Sequence, residues 1–209
     1  MTILALEFSS ARRSVALARG GRLLAEAVEH TGGRGTDVFG LIEKVLENGN
    51  ASREEIEVIA VGLGPGSYAG IRAAIAVAQG WQLARGAKLL GVSSMESLAA
   101  QAQMERFLGR VNLAVDAQRG EFYLAAWEIS GESRVEVSAL KIVPAAEIAA
   151  RQAAGEICLG PELKPQLFPS AAAVAALAAG RTDFVPGEKL EPVYLRQTSF
   201  VKASAARLA

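Results

Sequence analysis

The sequence predicts a mixed α/β protein built from two similar halves. In residues 1–103 the hydrophobic patterns follow the order β-β-β-α-β-α-β-α, which indicates a mixed sheet with a hairpin at its start and parallel crossovers after it. The second half also opens with two strands around a tight turn. With 209 residues, 51% of them apolar, the chain can fill the core of one large domain or two small ones.

Five strands are predicted in the first lobe. The apolar run at 3–10 ends in small polar residues and is typical of a strand. Residues 14–30 predict two strands that turn at Gly20-Gly21, a two-glycine hairpin signal. The apolar runs at 56–64 and 88–94 predict the remaining two strands, which complete a mixed five-stranded sheet.

Three helices are predicted in the same lobe, at 36–49, 67–86 and 95–103. The first has apolar residues at the i, i+3, i+4, i+7 and i+8 spacing of a helix face. Thr36 or Asp37 can cap its start. The predicted apolar face consists of Val38, Leu41, Ile42, Val45 and Leu46.

Residues 104–209 predict a second lobe that is smaller and less regular. A charged, weakly patterned stretch at 103–110 marks the boundary. A hairpin at 110–130 turns at Arg119-Gly120. It is followed by a strand at 134–143, a helix at 144–152 that opens with proline, a short strand at 156–160 and an alanine-rich helix at 170–181.

The composition argues against several classes of function. Lys plus Arg equals Asp plus Glu, 22 each, so the chain is a poor candidate for binding nucleic acid alone. One histidine (His30) and one cysteine (Cys158) offer almost no ligands for a zinc site. The sequence has no long charge-free apolar run and no signal-peptide pattern at its start, so we expect a cytoplasmic protein without a membrane span.

The stretch GLGPGSYAGIR at 62–72 is the strongest local signal. Its glycines permit a tight turn from strand to helix, and the unpaired N–H groups of the first helical turn would attract an anion. The stretch fits neither the Walker A motif, the dinucleotide-binding fingerprint nor the nucleophile elbow. By itself the pattern favours a tight turn with nothing bound. The alternative is a nucleotide or anion contact made by Glu7, Ser9, Gly64, Gly66 and Ser67.

The helix that follows this turn is apolar nearly all round, with Arg72 as its only charge between Ser67 and Ala84. Such a helix must be buried on more than one side. A second subunit is the favoured cover, and burial by the second half of the chain is the alternative. We therefore expect Ala74→Arg to abolish subunit association and leave the fold largely intact. The predicted interface comprises Val38, Leu41, Ile42, Val45, Tyr68, Ile71, Ala74, Ile75, Ala78 and Trp81.

Other candidate residues carry weaker signals. Asp116 and Glu121 could act as an acid–base pair, but a hairpin held by Asp116 is the favoured interpretation. Tyr194 and Arg196 near the end of the chain could brace the tail or contact a partner, and the sequence does not decide between these. No catalytic residue and no metal ligand are assigned.

Taken together, five segments resemble the TsaB (YeaZ) family over nearly the whole chain. GPGSYAGIR is similar to that family's GPGSFTGLR-type loop and is the most specific of the five. The others are ILALEFSS with SVAL, GVSSMESLA, DAQRGEFY and PVYLR, in the family's order.

The resemblance implies a two-lobed fold like that of actin, Hsp70 and the sugar kinases, a ribonuclease H-like fold. It also implies a non-catalytic assembly and activating subunit of the machinery that makes threonylcarbamoyladenosine (t6A) in transfer RNA. The implied partners are a TsaD-like transferase subunit, a TsaE-like ATPase and a second copy of the chain, with transfer RNA contacted only through the complex. The resemblance implies no cofactor bound by the chain itself, and ATP with magnesium in the assembled complex.

The sequence departs from the family pattern at two places. Glu7 stands where the family often has aspartate, and the stretch 35–40 lacks a histidine that many members carry. Both departures weaken the alternative hypothesis of a standalone enzyme, either an actin-like ATPase or a glycoprotease-like peptidase. The peptidase is the weaker of the two, because one histidine and one cysteine leave little catalytic apparatus.

Overall fold

The computed structural model describes residues 1–30, 35–193 and 195, and these residues form two sheets with helices on their faces. The first sheet contains β1 (Thr2–Glu7), β2 (Arg12–Arg19), β3 (Arg22–His30), β4 (Val58–Gly62) and β5 (Lys88–Val92). The second contains β6 (Gly109–Asp116), β7 (Glu121–Ile129), β8 (Arg134–Pro144) and β9 (Ile157–Leu159). The helices are α1 (Val38–Asn48), α2 (Tyr68–Arg85), α3 (Ser94–Met104), α4 (Ala145–Ala153) and α5 (Ala171–Ala178).

The first sheet has the strand order β3-β2-β1-β4-β5, which confirms the predicted mixed five-stranded sheet. The central strand β1 pairs antiparallel with β2 and parallel with β4. All six residues of β1 are buried, because helices cover both faces of the sheet. Leu4 and Leu6 point to one face, packed by α1 and α2, and Ile3 and Ala5 point to the other.

Helix α5 covers that second face of the first sheet, although its sequence lies in the part predicted to form the second lobe. The N–H of Ala171 donates to the Ser14 hydroxyl (2.8 Å), and the N–H of Ala172 donates to Glu26 (3.2 Å). The strands before residue 103 form the first sheet and the strands after it form the second, but α5 follows residue 103 and packs on the first sheet. The open face of the first sheet is the physical reason, since its apolar side chains need a cover that the first half does not supply.

Helix α3 leads from the first sheet to the second. Met95 and Leu98 pack against the apolar face of β6 and β7, in one cluster with Trp127. Helix α4 covers the opposite face of the second sheet with its buried residue Ile148. The second lobe is therefore a layered α/β unit of its own, with strand order β8-β7-β6-β9.

The end of the described chain returns to the edge strand of the first sheet. The N–H of Val185 donates to the carbonyl of Leu89 (3.0 Å), and the N–H of Val193 donates to the carbonyl of Leu63 (2.8 Å). The segment thereby covers the free edge of β5. Tyr194 and Arg196 lie outside the described residues. In the described part of the chain no helix combines the length and the hydropathy needed to cross a bilayer.

Candidate functional site

The carboxyl ends of β1, β4 and β5 meet around the side chain of Glu7, which is fully buried. Its Oε1 accepts a hydrogen bond from the N–H of Ser9 (2.8 Å), and its Oε2 accepts one from the Ser94 hydroxyl (2.8 Å). Burial raises the pKa of the Glu7 carboxyl group, and the hydrogen bonds from Ser9 and Ser94 oppose that rise. Both oxygens of the carboxyl group thus accept hydrogen bonds from within the protein.

Two backbone N–H groups of the glycine loop, residues 64–67, make hydrogen bonds inside the protein. The N–H of Gly64 donates to the Ser94 hydroxyl (3.0 Å), and the N–H of Ser67 donates to the carbonyl of Ser9 (2.7 Å). The hydroxyl of Ser67 caps α2 by accepting from the N–H of Gly70. These bonds fit the predicted tight turn, because the same donors cannot also hold a phosphate.

Glycine is required in the loop because the chain passes very close to the β1–β2 connection. A Cβ atom at Gly66 would overlap the carbonyl oxygen of Ser9, and one at Gly70 would overlap that of Phe8. Gly66 also has a φ of 148°, which disfavours other residues. The loop is therefore packed against the β1–β2 connection rather than open to solvent along its length.

A cleft of about 570 Å³ lies between the two lobes, beside this loop. From the first lobe its walls include Ser9, Ser10, Arg13, Ser67 and Tyr68; from the second they include Asp116, Gln118, Tyr123 and Glu162. Of the five residues predicted to contact a nucleotide or anion, Ser9, Gly66 and Ser67 line the cleft. Glu7 and Gly64 do not line it, because both face the interior of the first lobe.

On the second-lobe side of the cleft, Asp116 holds the turn between β6 and β7. Its carboxylate accepts from the backbone N–H (2.8 Å) and the side-chain amide (2.7 Å) of Gln118. Gln118, Arg119 and Gly120 all have φ near 60–75°, a region that costs non-glycine residues roughly 1–2 kcal/mol each. The two bonds to Asp116 offset part of this strain, which confirms the interpretation of a hairpin held by Asp116.

The carboxylate beside Asp116 in the cleft is Glu162. Its Oε2 accepts from the N–H of Asp116 (3.3 Å). Burial raises the pKa of the Glu162 carboxyl group, and the negative charge of Asp116 adds to the rise. Sequence reasoning missed Glu162, since it lies in an irregular loop far along the chain and carries no local motif. Among the described residues, no group of three or more His, Cys, Asp or Glu side chains could hold a metal ion.

The helices α1 and α2 form the second candidate surface, but most of the predicted interface residues face the wrong way. Seven of them are buried in the protomer's own core against the first sheet: Leu41, Ile42, Val45, Ile71, Ala74, Ile75 and Ala78. Val38 and Trp81 are half-buried at the edge of that core, and Tyr68 is exposed. The apolar stripe of each helix is the side that packs on the sheet, so the predicted interface is wrong for the seven buried residues.

The exposed face of α2 is nevertheless apolar. Ala69, Ala76 and Leu83 follow one another at intervals of seven residues, and all three are exposed, Leu83 by 88%. Gly80 continues the stripe, and Arg72 borders it with its guanidinium stacked on the Tyr68 ring (5.2 Å). We call Ala69, Arg72, Ala76, Gly80 and Leu83 the outer face of α2.

A groove of about 440 Å³ runs between α1 and α2 beside the outer face. Phe39, which is 66% exposed, forms one wall, and Val77 and Trp81 form the other. The indole Nε1 of Trp81 is buried and has no hydrogen-bond partner within the described chain. Arg53 and Arg85 lie at the border of the groove. Arg53 forms an ion pair with Glu43, and Arg85 forms one with Glu54.

Two lobes, a mixed five-stranded first sheet and an interlobe cleft define a protein of the two-lobed actin-like, ribonuclease H-like fold class. A family model described as "TsaD: tRNA N6-adenosine threonylcarbamoyltransferase" matches residues 36–184. The chain belongs to this family.

Relatives and solved structures confirm the predicted resemblance to TsaB (YeaZ) proteins. The "tRNA threonylcarbamoyladenosine biosynthesis protein TsaB" of Escherichia coli is 33% identical over 61% of this chain and 55% of its own length. The protein of the same name from Bacillus subtilis is 28% identical over 61% of this chain and 56% of its own length. The chain therefore spans just over half the length of these curated relatives.

Solved structures match over a longer stretch. "YeaZ from Pseudomonas aeruginosa" has a TM-score of 0.75 at 26% identity, covering 93% of this chain and 99% of that one. A second structure, described as having "similarity to peptidase YEAZ from Pseudomonas aeruginosa", has a TM-score of 0.77 at 28% identity and the same coverage.

Proposed function

We propose that this chain is a non-catalytic assembly subunit of the machinery that makes t6A in transfer RNA. It binds and supports a TsaD-like transferase subunit through the outer face of α2 and the adjoining groove. The exposed apolar stripe of α2 carries the proposal, because a continuous apolar surface on a folded protein marks an interaction site. The names of the curated relatives place those proteins in t6A biosynthesis and support the choice of pathway.

The chemistry of the outer face suits a helix of a partner. Alanine and glycine at the contact let two helix backbones approach closely, while Leu83 and Phe39 provide larger apolar anchors. Arginines at the border supply a charged rim. A surface with an apolar centre and a polar rim is typical of protein interfaces.

The committed hydrogen bonds of the glycine loop support a role without independent catalysis. Glu7, Gly64 and Ser67 are hydrogen-bonded to Ser9 or Ser94, which leaves them poorly placed to manage a nucleotide phosphate. We propose that ATP with magnesium acts only in the assembled complex, with a TsaE-like ATPase. Transfer RNA is contacted through the other subunits, since the chain carries no excess of positive charge.

Co-purification with the TsaD-like subunit of the same organism, with the mass read by light scattering, tests the proposal. Ala76→Arg should weaken the heteromer at least about tenfold, since a charge buried in an apolar interface costs several kcal/mol. Ala149→Arg is the matched control, because Ala149 is an exposed helical alanine on α4 in the second lobe. It should leave association unchanged.

Three outcomes separate the alternatives. A heteromer that survives Ala76→Arg would refute the docking surface. A chain that forms only a homodimer sensitive to Ala76→Arg would assign the face to a second copy. The cleft, with Ser9 and Ser67 on its wall, keeps a standalone ATPase as the second candidate, and calorimetry with ATP and magnesium decides it. Binding to the isolated chain followed by turnover would replace the assembly role.

A further inference from the structure

Two short paths of hydrogen bonds lead from the Glu7 carboxyl group to the two ends of the glycine loop. The first runs through Ser94, whose hydroxyl donates to Glu7 Oε2 and accepts from the N–H of Gly64. The backbone N–H of Ser94 closes this path by donating to the carbonyl of Gly64 (2.9 Å). The second runs through Ser9, whose N–H donates to Glu7 Oε1 and whose carbonyl accepts from Ser67.

We propose that Glu7 is a positioning residue, whose buried carboxyl group holds both ends of the glycine loop and thereby fixes the direction in which α2 leaves the sheet. Ser67 is the N-cap of α2, so a shift of its backbone moves the start of the helix. Glu7 therefore acts at a distance from the outer face of α2, through Ser9 and Ser94. This gives the residue a role away from the cleft.

Gly62 shows that the position is built for a glutamate. A Cβ atom on Gly62 would overlap the carboxyl oxygens of Glu7, so the glycine on β4 leaves the space that the longer side chain fills. Aspartate is shorter by one methylene group and would not reach both Ser9 and Ser94 from β1. Glu7 and Gly62 thus form a matched pair on neighbouring strands.

Amide hydrogen exchange of the isolated chain, followed by NMR, tests this role without any partner. In Glu7→Asp the amides of Gly64 and Ser67 should exchange about tenfold faster or more, the scale expected when a buried hydrogen bond is lost. Glu7→Gln keeps the length of the side chain and should stay within about threefold of the wild type. Unchanged exchange in Glu7→Asp would overturn the proposal.

Glu57→Gln is the control, because the Glu57 carboxylate also binds β1, at its other end through the N–H of Thr2. It should leave the glycine loop unchanged, and an equal effect would assign the exchange to general loosening of β1. If Glu7→Asp does not fold, Ser94→Ala decides instead. It breaks one path only, so Gly64 should exchange faster while Ser67 stays protected; any other pattern rejects the two-path arrangement.

The pairing of Glu7 with Gly62 has its own test. Gly62→Ala alone should speed exchange at Gly64 and Ser67, because the added methyl group displaces the carboxyl group. Adding Glu7→Asp should then cost little further protection, since both changes break the same two paths from the carboxyl group. Additive effects of the two changes would contradict the pairing.

The consequence for partner binding rests on the proposed function: Glu7→Asp should also weaken the heteromer, and Glu7→Gln should leave it nearly unchanged. Amide exchange is measured on the isolated chain and needs no partner. The role of Glu7 and the proposed docking surface can therefore be refuted independently. Altered exchange with unchanged association would remove only the link to docking.

Discussion

Both faces of α2 carry alanines, but the two faces differ in burial. Ala74 and Ala78 are fully buried against the first sheet, whereas Ala69 and Ala76 are exposed. The inner face joins Ile71 in the main core of the first lobe. The comparison teaches that an apolar pattern all round a helix does not by itself identify the side that packs in the core. The branched side chain of Ile71 lies on the buried side.

The largest effect is expected at the inner face. Ala74→Arg should destabilise the isolated chain by about 3 kcal/mol or more, because it places an unpaired charge in the core. This corrects the expectation that the change would spare the fold. Urea unfolding followed by circular dichroism measures the loss. Wild-type stability of the variant would mean that Ala74 faces outward and that the assignment of the inner and outer faces of α2 is wrong.

A second test uses pH at the start of α2. The pKa of Glu7 is raised in the folded protein, so the folded state holds the proton more tightly than the unfolded state. Stability contributed by this group is present at low pH and falls as the pH rises above the unfolded value near 4.5. Glu7→Gln does not titrate, so its stability relative to the wild type should increase with pH.

Urea unfolding of both proteins between pH 4 and 9 gives this difference. The other carboxylates, such as Asp183, whose pKa is lowered to about 2, are common to both proteins and largely cancel. A difference in unfolding free energy that stays flat across the range would mean that Glu7 keeps the same pKa in the folded and unfolded states.

The smallest effect is expected at Trp81, on the border between the two faces. Its buried Nε1 has no partner in the described structure, so Trp81→Phe removes an unsatisfied donor together with some packing. We expect a change within about 1 kcal/mol in the free energy of unfolding. Thermal unfolding of the isolated chain measures it. A loss of several kcal/mol would show that the indole is integral to the core and that the groove is narrower than the structure indicates.

The sequence by itself determined the local elements. The two-glycine hairpin between β2 and β3, a cap at Thr36 or Asp37, and the five strands of the first sheet all follow from turn residues and hydrophobic periodicity. These features depend on neighbours within a few positions, which is the range that a pattern reports.

Only the tertiary structure decided where those elements lie against one another. It turned the apolar stripe of α2 inward, placed α5 on the first sheet and brought Glu162 beside Asp116. It also directed the Glu7 carboxyl group away from the cleft and toward Ser94, the first residue of α3. Burial of the sheet's two faces and satisfaction of buried hydrogen bonds depend on residues distant in the chain, so no local pattern contains them.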